Sequence, residues 1–133
     1  MNTSMVAPTP ASFSTGLVTA RFHETWDFYT ALLGFRTLEE SDDEVRLVHP
    51  AGAVLTVLRE ETDGQPAELI PATTGRGLWF TLEVADVTEE YARLRREGAA
   101  IVSALTADRG GGQRFAVRDP NGVLVLISAR AWS

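Results

Sequence analysis

Gln113-Arg-Phe-Ala-Val-Arg-Asp-Pro-Asn-Gly-Val-Leu-Val-Leu-Ile-Ser128 reads as a hairpin, two apolar runs joined by a proline-containing turn that ends on glycine. The same device stands seventy residues earlier, where His49-Pro-Ala-Gly52 joins Glu44–Val48 to Ala53–Glu60. Upstream of the first hairpin, Thr25–Leu33 carries Trp26, Phe28, Tyr29, Leu32 and Leu33 at helical spacing, and Gly34 supplies a stop. Strand signals at Phe13–Ala20 and Phe35–Glu40 flank that helix, so the first half reads βαβββ. Upstream of the second hairpin the order repeats. Gly77–Val84 fits a strand, and Asp86-Val-Thr-Glu89 caps an amphipathic helix to Glu97 with Val87, Tyr91 and Leu94 on one face. Gly98 ends it, and a strand follows near Ala100–Ala104. The chain is therefore expected to be α+β, one domain over 13–133 built from βαβββ modules at 13–60 and 77–130. Residues 61–76 form a linker rich in Asp, Gly, Pro, Ala and Thr, and residues 1–12 a flexible tail.

Composition agrees with one folded domain: 133 residues, 44% of them hydrophobic, can bury a real core. With no cysteine, disulfides, thiolate metal sites and a cysteine nucleophile are excluded. No stretch approaches the roughly 20 apolar residues of a membrane helix, and the N-terminus lacks the pattern of a secretory signal. A cytoplasmic protein is expected. The net charge of −6 argues against nucleic acid or an anionic membrane as partner, and permits a cationic ligand.

Two segments carry a resemblance: Asp27-Phe-Tyr-Thr-Ala-Leu-Leu-Gly-Phe35 in the first half and Gly112-Gln-Arg-Phe-Ala-Val-Arg-Asp-Pro-Asn-Gly122 in the second. With them the chain resembles the vicinal oxygen chelate superfamily, which includes glyoxalase I, extradiol dioxygenases and bleomycin-resistance proteins. The second segment looks especially like the antibiotic-binding branch, although Val123 stands where asparagine is common. The resemblance implies two βαβββ modules forming a curved mixed β-sheet with a concave pocket, and a homodimer whose grooves combine halves of two chains. It also implies metal ligands from the first and last strand of each module. Those positions fall on Ser14, Thr56, Trp79 and Leu126, none a competent ligand for a divalent ion, so no metal and no other cofactor are expected.

Taking Pro50-Ala51 and Pro120-Asn121 as two-residue turns sets the hairpin registers. Val45 then opposes Thr56, Leu47 opposes Val54, Phe115 opposes Leu126 and Val117 opposes Leu124, all on the pocket face. Trp79, Thr81 and Glu83 join them by alternation, Ser14 adds a hydroxyl, and Arg114 lies within reach. Leu55, Val57, Val125 and Ile127 face the helices. Such a pocket suits a flat hydrophobic group, with Trp79 stacking and Phe115 second. His23 and His49 read as capping or turn residues, and no Ser–His–Asp grouping is evident. Gly110-Gly-Gly112 reads as a flap rather than a phosphate loop. The run Glu39, Glu40, Asp42, Asp43, Glu44 reads as a solvated loop or as an attractor of a cationic drug.

Three functions remain open on these residues. The first is metal-free sequestration of a hydrophobic or aromatic antibiotic or natural product, with no catalytic residue. The second is a metal-independent lyase or isomerase acting on a small carbonyl or polyketide substrate through Glu83. The third is a module that binds another protein through the acidic loop.

Overall fold

The computed structural model describes residues 14–60, 78–107 and 112–129. The expected tail 1–12, the linker 61–76 and most of the glycine flap lie outside the described residues.

The first module runs β1 (Thr15–Thr19), α1 (Phe22–Asp27), a π-helical continuation (Phe28–Leu32), β2 (Arg36–Glu40), β3 (Glu44–Val48) and β4 (Val54–Arg59). The second runs β5 (Trp79–Glu83), α2 (Val87–Arg96), β6 (Ile101–Ala107), β7 (Gln113–Arg118) and β8 (Leu124–Ser128). The two modules form separate four-stranded mixed sheets of identical topology, ordered β1-β4-β3-β2 and β5-β8-β7-β6. The first strand of each pairs parallel with the last, and the remaining pairs are antiparallel. The α+β class and the βαβββ repeat are as read from sequence; the expected curved mixed sheet is divided between the two modules.

The first helix begins at Phe22 rather than Thr25. No side chain caps it: the turn opens with a 2.9 Å bond from the Thr25 N–H to the Arg21 carbonyl, so the sequence carries no start signal. Burial of Phe22 and Thr25 holds this turn in place. At the far end Gly34 adopts φ +80° and the Phe35 N–H reaches back to the Tyr29 carbonyl, closing the widened π turn. In α2, by contrast, Asp86 caps as expected, its side chain accepting from the Glu89 N–H at 3.0 Å. Gly98 ends α2 with the Ala99 N–H bonded to the Leu94 carbonyl and its own N–H to Arg95.

One hydrophobic cluster takes side chains from both modules: Val45, Leu47, Leu55 and Val57 from the first sheet, Phe115, Val117, Val125 and Ile127 from the second, and Tyr29, Leu33, Val87 and Leu94 from the helical parts. Among the described residues every buried side-chain nitrogen or oxygen has a hydrogen-bond partner, and no helix is long and apolar enough to cross a membrane.

The hairpin registers correct the sequence reading. Each turn contains three residues, not two. His49 N–H donates to Ala53 O at 2.8 Å and Asp119 N–H to Val123 O at 2.9 Å, so these are the closing pairs. Gly52 and Gly122 sit at φ +104° and +88° as the third turn residue, the arrangement of a type I turn followed by a left-handed glycine. Val45 consequently faces Val57, Leu47 faces Leu55, Phe115 faces Ile127 and Val117 faces Val125. A one-residue slip moves every side chain of the partner strand to the other face. Val45, Leu47, Phe115 and Val117 therefore belong to the core and not to a pocket: all four are fully buried, and the Phe115 ring packs edge-on against Tyr91 of α2 at 5.0 Å.

Candidate functional site

The corrected registers define the face of each sheet turned away from the core. In the second sheet, directly paired residues share a face, which gives three rows across β5, β8 and β7. These are Trp79–Leu124–Arg118, Thr81–Leu126–Ala116 and Glu83–Ser128–Arg114. Trp79 is 55% exposed, an unusual state for so large an apolar group on a strand. Leu124 and Leu126 beside it are half-buried, while Thr81, Glu83, Arg114 and Arg118 are exposed. The Arg118 guanidinium donates to the Gly122 carbonyl at 3.0 Å, which steadies it next to the turn. Of the residues read from sequence as ligand-binding, this face brings together Trp79, Thr81, Glu83, Leu126 and Arg114. Arg118 escapes the sequence reading because a two-residue turn puts Val117, and not Arg118, on the pocket face.

Thr56 lies on the corresponding face of the first sheet, in a row with Gly16 and Arg46. Ser14, exposed just before β1, precedes Gly16 by two and so falls on the same side. Among the described residues the two sheets share no strand pairing, so Thr56 and Ser14 belong to a different sheet from the Trp79 rows.

These residues do not fit a divalent metal. Taken by position the set is Ser14, Thr56, Trp79 and Leu126; taken by the observed rows, Thr56 lies beside Gly16 and Leu126 beside Thr81. Neither set offers an imidazole or a carboxylate. Among the described residues no group of three or more histidine, aspartate or glutamate side chains could hold an ion.

The histidines sit elsewhere. His49 Nδ1 accepts from the Ala51 N–H at 3.1 Å, a turn hydrogen bond, and its ring packs against Phe35. His23 stacks on Trp26 within α1. The acidic run is partly neutralised by its own module. Arg46 pairs with Glu39, and Arg59 pairs with Asp43 and donates to the Asp42 carbonyl.

The most heavily bonded polar group joins the two segments that carried the sequence resemblance. The Tyr29 hydroxyl donates to Asp119 Oδ2 at 2.8 Å, while Asp119 Oδ1 accepts from the N–H groups of Asn121 and Val123, both at 2.8 Å. Asn121 Nδ2 donates to Thr25 Oγ1 at 2.9 Å, and its carbonyl accepts from the Thr19 hydroxyl. Burial, then the charge of Asp119 and the bond to it, raises the Tyr29 pKa far above the ordinary tyrosine range. A phenol held this firmly in its neutral form is a structural donor, and it ties the first helix to the turn of the second module.

Comparison with known proteins places the architecture. The model of the Glyoxalase/Bleomycin resistance protein/Dioxygenase superfamily matches residues 12–127. No curated protein matches the sequence. Among solved structures, TioX from Micromonospora sp. ML1 is similar at 23% identity and a TM-score of 0.68, over 91% of this chain and 100% of that one. A glyoxalase/bleomycin resistance protein/dioxygenase from Nocardioides is similar at 24% identity and a TM-score of 0.72, over 94% and 87%. Lactoylglutathione lyase from Agrobacterium tumefaciens is similar at 16% identity and a TM-score of 0.68, over 90% and 94%. At these identities the likeness is one of fold.

Proposed function

Because this chain belongs to the glyoxalase/bleomycin resistance protein/dioxygenase superfamily yet offers no metal-binding donor set at Ser14, Thr56, Trp79 and Leu126, we propose that it is a metal-free sequestering protein. Its ligand in this reading is a flat hydrophobic or aromatic small molecule, an antibiotic or related natural product, held without chemical change. The observation that carries the reading is Trp79, more than half exposed in a regular strand with Leu124 and Leu126 alongside. Leaving a tryptophan in water forgoes a few kcal/mol of burial. A planar ligand stacked on it recovers that term.

The reading includes a homodimer in the cytoplasm. β1 and β5 each end a sheet, so a second copy has an edge at which to add its own module and bring a Thr56 face to a Trp79 face. Glu83, the acid or base an enzyme would need here, is exposed, which favours binding over turnover.

The test is a thermal-shift screen over polycyclic aromatic and cationic peptide antibiotics, with metal analysis of protein purified without chelator. A ligand at 100 times its Kd adds about 2.7 kcal/mol to the stability. The expected result is a shift that is lost in Trp79→Ala, with the compound recovered unchanged. Stoichiometric zinc, iron or nickel, or a chemically altered ligand, would overturn the reading.

A further inference from the structure

The face that carries Trp79 is electrically polarised across its strands, and that polarity bears on the class of ligand. β5, at one side, presents Trp79 and Glu83; β7, two strands away, presents Arg114 and Arg118. Between them β8 offers Leu124 and Leu126 as an apolar floor. With strands about 4.8 Å apart, the tryptophan side and the arginine side are separated by roughly 10 Å, close to the long axis of a fused bicyclic or tricyclic aromatic acid. Among the described residues these two arginines and Glu83 are the charges in the three rows. The acidic run that could draw a cation belongs to the β2–β3 hairpin of the other sheet, where Arg46 and Arg59 engage Glu39 and Asp43.

We propose that the ligand is an aromatic acid, its ring on Trp79 and Leu124 and its carboxylate or other anionic group turned toward Arg118 and Arg114. This rests on the reading of the Trp79 face as the binding site and specifies which ligands it takes. Arg118 is the better placed of the two, since it shares the row of Trp79 and is already oriented by its bond to the Gly122 carbonyl, with further N–H donors left for an anion. Glu83, on the β5 side, repels an anion entering the wrong way round and so sets a single orientation. Because the arginines are exposed, the charge contributes selectivity more than affinity.

The experiment uses three probes with one ring system: 2-naphthoate, 2-naphthalenemethanol and 2-naphthylmethylammonium. Each is titrated at low ionic strength into the full chain while the indole N–H resonance of Trp79, assigned with Trp79→Ala, is followed. The expected order of affinity is acid, alcohol, ammonium. Arg114→Gln combined with Arg118→Gln should weaken the acid roughly five-fold and leave the alcohol unchanged, with the melting temperature confirming that the variant folds. Glu83→Gln should hold the acid at least as tightly as the parent and leave the alcohol unchanged, so that the gap between them is kept or widened and their order stands; a weaker acid in that variant would overturn the orienting role given to Glu83. If the ammonium binds as tightly as the acid, or if the double arginine variant holds the acid as well as the parent, the acid proposal falls while the Trp79 site stands. If none of the three probes moves the Trp79 resonance, the binding site itself is misplaced, and both readings fall together.

Discussion

Tyr29 is a buried phenol bonded to a buried carboxylate. Its hydroxyl is one of the donors to Asp119, a carboxylate with only 4% of its surface exposed. Tyr29→Phe removes that donor and leaves the acceptor buried, which should cost about 1–3 kcal/mol in urea denaturation. The pH dependence has a definite sign. Because the pKa is raised in the folded chain, the phenol keeps its proton there while the unfolded chain begins to release it near pH 10. The stabilisation is whole below that pH and is lost as pH rises, at a limiting slope of about 1.4 kcal/mol per pH unit for one proton. Denaturation curves of the parent and of Tyr29→Phe should therefore draw together above pH 10. Parallel curves across that range would mean that Tyr29 ionises as freely in the folded chain as in the unfolded one.

At the scale of the element, the two hairpins turn on Gly52 and Gly122, whose positive φ values a residue with a Cβ adopts only under strain. Gly122→Ala should cost about 1 kcal/mol. Gly16→Ala makes a control within β1, because φ there is not in the left-handed region and an added Cβ would meet only the Thr56 carbonyl at 4.0 Å, an ordinary contact. Equal losses for the two would refute the turn assignment. These turns also show what the sequence disclosed and what it hid. The repeat, the order of elements, the Asp86 cap and the stops at Gly34 and Gly98 were legible, because each depends on local chemistry. The register was misread by one residue, which sent Val45, Leu47, Phe115 and Val117 to the wrong face. The signal was present: a two-residue hairpin turn of type I′ needs positive φ at its first central residue, whereas Pro50 and Pro120 fix φ near −65°. Proline second and glycine fourth is the pattern of a type I turn with glycine closing it. The start of α1 had no such signal, since burial of Phe22 and Thr25 rather than a cap fixes it. Arg118 followed from the register and was lost with it.

For the whole molecule, the dimer reading gives a mass test. Two modules in separate sheets, with β1 and β5 at sheet edges, lead to the expectation of twice the chain mass in light scattering at micromolar concentration. Dilution that releases monomer should also weaken ligand binding if a Thr56 face and a Trp79 face meet only across two chains. A monomer that binds with undiminished affinity would confine the site to the second sheet.

The bond from Tyr29 to Asp119 gives the repeat a further meaning. The two halves share a topology, yet one supplies the donor and the other the acceptor, joined across 90 positions of sequence. A chain made of two first halves would carry two phenols and no carboxylate to receive them; one made of two second halves would bury the carboxylate without Tyr29, because the tyrosine of that half, Tyr91, packs on Phe115 instead. The halves are thus unlike partners, a heterodimer whose subunits happen to share one backbone.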